Sequence, residues 1–210
     1  MNSPLSYSPI LCLVTDRKRL KNRDIVDIAY EAVSGGVTMI QIREKDLSLN
    51  ELAKLLEQFS KKIGAEAIIA VNANHYTRNF DLADAIHFPE DSPTIPSGSG
   101  KIIGRSVHSA EAAIKAVETD VDYLVAGTIF ESASHPGRTG SGLEFLEKVV
   151  EISNKPVLGI GGITVARSAE VIHCGASGVA VISAILDSAE PARVAEEFMS
   201  NMRNAMDSQH

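Results

Sequence analysis

Short, almost wholly apolar runs recur along the chain, and most are followed by a segment with apolar residues at helical spacing. Eight runs stand out: ILCLV (10–14), VTMIQI (37–42), AIIAV (67–71), AIHF (85–88), KIIGRSV (101–107), YLVAGTIF (123–130), PVLGI (156–160) and GVAVISAI (178–185). Helical spacing marks IVDIAYEAV (25–33), LNELAKLLEQF (49–59), AEAAIKAVE (110–118), GLEFLEKVVEI (142–152) and PARVAEEFMSNMRNAM (191–206). Ser48 and Ser109 stand where N-caps are expected, because a short side-chain oxygen there can accept an unpaired N–H of the first turn. The segments after the third and fourth runs are short or irregular.

Apolar runs with little alternation indicate strands covered on both faces, as in parallel sheets. Eight strand–helix units predict an α/β fold: a single-domain (β/α)8 TIM barrel spanning residues 1–210, near the small end of the usual range. A doubly wound open sheet would normally carry a glycine-rich turn after its first strand. Here the first run ends in TDRKR. PTIPSGSGK (93–101) reads as a loop.

Composition narrows the function. Hydrophobic residues make up 44% and charged residues 22%, ordinary values for a globular protein. A net charge of −7 argues against nucleic acid as a partner. Cys12 and Cys174 are isolated in apolar contexts, which points to reduced thiols and a cytoplasmic location. No run approaches the roughly 20 residues of a membrane span, and Ile10–Val14 is too short for a signal-peptide core, so no membrane partner is expected. A homo-oligomer is compatible with the pattern.

Candidate chemistry begins at QIREK (41–45). In a strand, residues two apart share a face, so Gln41, Arg43 and Lys45 would point one way and Ile40 and Ile42 the other. Three long polar groups at a strand end suggest an anion site, and the active sites of such barrels lie at the C-terminal strand ends. Thr15 and Asp16, Asn72 and Asn74, Ser106 and His108, and Thr128 fall at the same level. Phosphate sites are often built from the loops after strands 7 and 8. There, Gly161 and Gly162 would let backbone N–H groups approach an anion. Ser183 and Ala184 would offer N–H groups at the start of a helix. Asp16 and Arg17 read equally as site residues or as a loop salt pair.

TDR, GGVTMIQIREK, IIGRSVHS, GTIF with its polar loop, PVLGIGGIT and GASGVAVISAI together resemble the thiamine-phosphate synthase/TenI superfamily, from about residue 10 to about residue 200. The resemblance implies a barrel that binds a thiazole phosphate. Its synthase branch joins a pyrimidine diphosphate to that phosphate with Mg²⁺; its TenI branch works as an aromatising thiazole tautomerase. By resemblance, Gln41, Arg43 and Lys45 match the residues that hold the pyrimidine diphosphate. The two metal carboxylates of the synthases fall at Ala73 and Ser92, with Glu90 and Asp91 just before the second. The phosphate-binding Thr-x-Thr-Lys of the strand 6 loop falls at Ser132-Ala133-Ser134-His135. The pattern FPxxS after strand 4 and IGRSVHS resemble the TenI branch, whose proton-transferring His falls at Thr128.

The expected function is therefore a TenI-like tautomerase acting on a thiazole phosphate without a cofactor. Thr128, His135 and His108 are the candidate proton-transfer positions. Gln41, Arg43, Lys45, Asn72, Ser106, Ser132 and Ser134 are the candidate substrate ligands. The alternatives are an Mg²⁺-dependent thiamine-phosphate synthase and a non-catalytic binder of a thiazole or thiamine phosphate. His87 is expected to point into the barrel and satisfy a core hydrogen bond, and His173 to lie on the outer shell.

Overall fold

The computed structural model describes residues 5, 9–20, 22–72, 80–92, 99–131 and 139–208. Eight parallel strands close in sequence order: β1 (Ile10–Val14), β2 (Met39–Ile42), β3 (Ile68–Asn72), β4 (Ala85–Phe88), β5 (Ile102–Val107), β6 (Tyr123–Gly127), β7 (Val157–Ile160) and β8 (Gly178–Val181). The helices are α1 (Ile25–Ser34), α2 (Leu49–Ile63), α3 (Ala110–Val117), α4 (Gly142–Ile152), α5 (Val165–His173), the single turn α6 (Ser183–Leu186) and α7 (Pro191–Asp207). The expected (β/α)8 barrel is the fold observed. Among the described residues no helix follows β3 or β4, as the irregular segments there imply.

Two apolar cores explain why the runs hardly alternate. Leu11, Leu13, Ile40 and Ile42 face outward into the shell of helices. Ile10, Cys12, Val14 and Met39 face inward and pack with Tyr123, Val125 and Leu158. Both faces of β1 and the lower part of β2 are therefore apolar, and period 2 is hidden in the sequence there. The barrel interior is filled by side chains, as is usual for this architecture. Gly104 is part of that filling: a Cβ there would lie 2.1 Å from Cζ of Tyr123, so only glycine lets the Tyr123 ring cross the interior at this level.

The caps read from sequence are present. Ser48 accepts the Glu51 N–H, and the Glu51 carboxylate accepts the Ser48 N–H, forming a capping box on α2. Ser109 accepts the Ala112 N–H and starts α3. Helix α7 packs against both α1 and α5 and so closes the helical shell as β8 closes the sheet. The lower rim is braced by acids: Asp84 accepts the Ile69 N–H at 2.9 Å, and Asp122 accepts the Ile103 N–H at 2.7 Å. With the lower ends tied, the upper ends carry the polar groups. The sixth run leaves the sheet at Gly127, and the eighth divides into β8 and α6, with the helix start expected at Ser183 in place. Cys12 is buried inside the barrel, where burial pushes its thiol up to about 12. Among the described residues no helix is long and apolar enough to cross a membrane.

Candidate active site

A cavity of about 150 Å³ opens at the C-terminal ends of the strands. Its floor is mostly apolar, with Val14, Val125, Ile160 and Ala180 rising from four strands and His87 as the polar exception. Polar groups ring it. Gln41 and Arg43 come from β2 and its exit, Asn72 from β3 and Ser106 from β5. His108 and Thr128 follow β5 and β6. Gly161, Gly162 and Ser183 complete the wall from the loops after β7 and β8.

Gln41 is buried, at 3% exposure, although it is the amide of the opening motif. It occupies an inward position of β2, between the outward Ile40 and Ile42. Arg43 follows one step later and keeps the inward direction. Lys45 does not. Strand β2 ends at Ile42, so the alternation is lost before residue 45; Lys45 lies in a turn, exposed and outside the cavity lining. It remains close enough to sense the mouth, because the Arg43 cation, then partial burial, lowers its pKa against the opposing pull of Asp91.

The loops after β7 and β8 use glycine for two purposes. Gly161 and Gly162 have φ values of 104° and 60°, conformations that suit glycine. Their loop lies tightly on the continuation of β6: Ile129 donates to the Ile160 carbonyl at 2.9 Å, and Phe130 to that of Gly161 at 3.1 Å. A Cβ on Gly162 would lie 2.3 Å from the Glu131 carbonyl oxygen. The glycines thus permit close packing as well as an open backbone. Arg167 donates to the Gly162 carbonyl at 2.8 Å and stacks over the Phe130 ring. Among the described residues, no hydrogen bond takes up the N–H of Gly161, Gly162 or Ala184. Helix α6 does begin at Ser183, but one turn has little aligned dipole. What it offers an anion is chiefly N–H groups. Ala184 itself is not part of the cavity wall.

His87 stands on the cavity floor, at 1% exposure, with Nε2 2.8 Å from Oγ of Ser106 and Nδ1 3.2 Å from the Tyr123 hydroxyl. Burial, reinforced by the Arg43 cation, lowers its pKa to about 3, so the imidazole is neutral at any physiological pH. The core hydrogen bond expected of His87 is present, and the same ring also lines the cavity. The inward position of His in AIHF, level with Asn72, accounts for both. His108 pairs through Nδ1 with Glu90 at 2.9 Å, and its backbone N–H donates to the same carboxylate oxygen. Arg17 pairs with Asp46 at 2.8 Å and with Glu44, residues that follow β2, and not with Asp16. His173 lies on α5, beside Ser208. Ser132, Ser134 and His135 lie outside the described residues, as do Ala73 and Asn74.

Comparison with known proteins identifies the scaffold. The sequence profile described as Thiamine monophosphate synthase matches residues 11–185. The chain belongs to this family. It is 35% identical over 211 residues to a protein of Chlorobium luteolum named Thiamine-phosphate synthase, with 96% of each chain covered. A Clostridium acetobutylicum protein of the same name is 35% identical, covering 84% of this chain and 86% of that one. The solved thiamine phosphate pyrophosphorylase from Pyrococcus furiosus superposes with a TM-score of 0.82 at 30% identity, covering 94% and 97% of the two chains. Family membership assigns the chain to thiamine biosynthesis. These relatives carry the synthase name; they do not support the narrower TenI assignment made from the motifs.

The synthase branch of the family implies Mg²⁺, so the donor set matters. Mg²⁺ takes hard oxygen ligands, usually one or two carboxylates with substrate phosphates. Position 73 is alanine, which supplies none. Ser92 is buried, and its carbonyl accepts a 2.6 Å bond from Arg105. Glu90 is engaged by His108, and Asp91 is exposed. Among the described residues, no group of three or more His, Cys, Asp or Glu side chains could hold a metal ion. The donors present do not fit the family's magnesium site.

Proposed function

We propose that the cavity binds a thiazole phosphate, with its phosphate on the loops after β7 and β8, and that the chain couples it to a pyrimidine diphosphate. The carrying observation is the pairing of two anion-facing walls across one small mouth. Gln41 and Arg43 stand on one side; Gly161, Gly162 and Ser183 stand on the other. The names of the relatives support coupling over the isomerisation expected from the motifs.

The chain's own groups divide the work by chemistry. The Arg43 guanidinium has the planar fork suited to phosphate oxygens and stays charged throughout. It meets the negative charge that grows as the diphosphate departs, with Lys45 at the rim as a second cation. Backbone N–H groups after β7 and β8 hold the monophosphate. The apolar floor receives the rings, and Gln41, Asn72 and Ser106 hydrogen-bond their edges. Holding the two reactants together in a confined cavity supplies the proximity that a bimolecular coupling requires.

A second reading is favoured by one specific observation: Ala73 and Ser92 occupy the carboxylate positions. A proton-shift isomerisation of a thiazole phosphate needs no metal. In that reading His108 is the imidazole in the cavity wall, and Thr128 is a poor proton carrier near neutral pH. The deciding experiment supplies purified protein with both substrate sets, with Mg²⁺ or with EDTA. Release of diphosphate with formation of the coupled product supports the first reading. EDTA-insensitive isomerisation without coupling supports the second, and tight binding with no turnover of either set overturns both.

A further inference from the structure

Three polar side chains stand in a row from the buried interior of the barrel to the cavity wall. Tyr123 is fully buried, and its hydroxyl lies 3.2 Å from Nδ1 of His87. Nε2 of the same ring lies 2.8 Å from Oγ of Ser106. Ser106 lines the cavity; Tyr123 does not. We propose that these three residues form a one-directional hydrogen-bond relay, which fixes the Ser106 hydroxyl as a donor to a lone pair on the bound ligand.

The direction follows from what each group can and must do. Burial raises the pKa of Tyr123 well above that of a free phenol, so the hydroxyl keeps its proton. A buried O–H left without an acceptor is costly. Among the described residues, the only acceptor within reach of that proton is Nδ1 of His87. Tyr123 therefore donates to Nδ1, which must carry no proton. A neutral imidazole holds one proton, so it resides on Nε2. Nε2–H then donates to the Ser106 oxygen, whose own proton is left for the cavity. A hydroxyl can usually turn to donate or accept as the ligand demands. Here one of its two lone pairs is taken up from below, so its own proton is turned to the cavity, and the cavity favours a ligand atom with a free lone pair, such as an unprotonated ring nitrogen. A ligand that presents only a donor there can use just the remaining lone pair and leaves the Ser106 proton without an acceptor, so it is disfavoured.

The relay rests on the reading of the cavity as a ligand site, but its direction does not, and the two can be tested separately. The full-length protein is labelled with ¹⁵N-histidine, and His87 is assigned by comparison with His87→Asn. Long-range ¹H–¹⁵N spectra between pH 6 and 8 should show a neutral ring with its proton on Nε2. A proton on Nδ1, or an imidazolium at pH 6, overturns the relay. Tyr123→Phe keeps the ring over Gly104 and removes only the donor. It should release the tautomer into a mixture and weaken binding of thiamine phosphate, the probe, by roughly tenfold. An unchanged tautomer in Tyr123→Phe overturns the relay, and a switched tautomer with unchanged affinity overturns the donor role of Ser106. A wild-type protein with the expected tautomer but no affinity for thiamine phosphate leaves the relay standing and removes the proposed function.

Discussion

The side-chain oxygen of Thr15 accepts the backbone N–H of Arg43 at 3.0 Å, so the loop after β1 holds the residue that leads from β2 into the cavity wall. Thr15 is fully buried and also bonds the Glu44 carboxylate. Glu44 in turn accepts the Arg17 N–H at 3.2 Å. Thr15→Val keeps the shape and removes the hydroxyl. It leaves a part-buried N–H without its acceptor, at a cost of about 1–3 kcal/mol. We expect a lower urea midpoint and weaker binding of thiamine phosphate, with Thr15→Ser retaining most of both. Wild-type stability in Thr15→Val would show that this bond does not set the geometry of Arg43.

Two carboxylates close in sequence should respond to pH with opposite signs. Burial raises the pKa of Glu44 above the usual value, outweighing its bonds to Thr15 and Arg17. The folded state then holds the proton longer than the unfolded state, and stability from this group is lost as pH rises from the unfolded pKa through the folded one. Glu51 is the reverse case. Its bonds to the Ser48 hydroxyl and N–H lower its pKa, so its contribution is present above the unfolded pKa and lost as pH falls through the folded one. Melting temperatures of wild type, Glu44→Gln and Glu51→Gln from about pH 3 to pH 7 check both signs, since an ordinary glutamate titrates near 4.5. Relative to wild type, Glu44→Gln should gain with rising pH and Glu51→Gln should lose. Parallel curves would contradict the assigned causes.

Gly104 and Tyr123 should be energetically coupled. A Cβ at position 104 would lie 2.1 Å from Cζ of Tyr123 and 2.4 Å from its hydroxyl oxygen, and the fully buried ring cannot move into open space. Overpacking of this kind costs about 1–3 kcal/mol. Gly104→Ala should lower the melting temperature, and much less so in a Tyr123→Leu background. Additive effects in that double-mutant cycle would mean that the ring relocates freely.

The sequence pattern carries the barrel because every strand of a buried parallel sheet repeats the same apolar demand. ILCLV and AIHF coincide with β1 and β4 to the residue. The strand ends were less legible. Lys45 looked like a partner of Arg43 because alternation alone does not tell where β2 stops. In GVAVISAI only Ser183 interrupts the apolar residues, and α6 begins there. The contacts that organise the cavity were hidden for another reason. His87 and Tyr123 are 36 positions apart, and Thr15 and Arg43 are 28 apart. Such pairs exist only once the barrel closes. Gln41, Arg43 and Ser106 of the family motifs line the cavity, and the TenI-like segments are short, whereas the likeness to proteins named as synthases runs along nearly the whole chain.

Gly161 and its neighbour across the loops, Thr128, should also be coupled, with an effect on binding as well as on stability. A Cβ on Gly161 would lie 2.3 Å from the Thr128 methyl carbon and 3.0 Å from its Cα. With φ at 104°, any L side chain is strained as well. Gly161→Ala should therefore cost about 1–3 kcal/mol of stability from the backbone conformation. It should also push the β7 loop away from the continuation of β6. The N–H groups offered to a phosphate would move with the loop, and charge-assisted bonds of about 1.5–3 kcal/mol each depend on their aim. Binding of thiamine phosphate should weaken by at least about tenfold, for a loss of about 1.4 kcal/mol. Thr128→Ser removes the clashing methyl group, and in the Gly161→Ala background it should restore part of the stability. The strain at φ and the close Cα remain, so the restoration should be partial. Calorimetric titration and thermal unfolding of the two single variants and the double variant read both quantities. Undiminished affinity in a folded Gly161→Ala protein would move the phosphate away from the β7 loop.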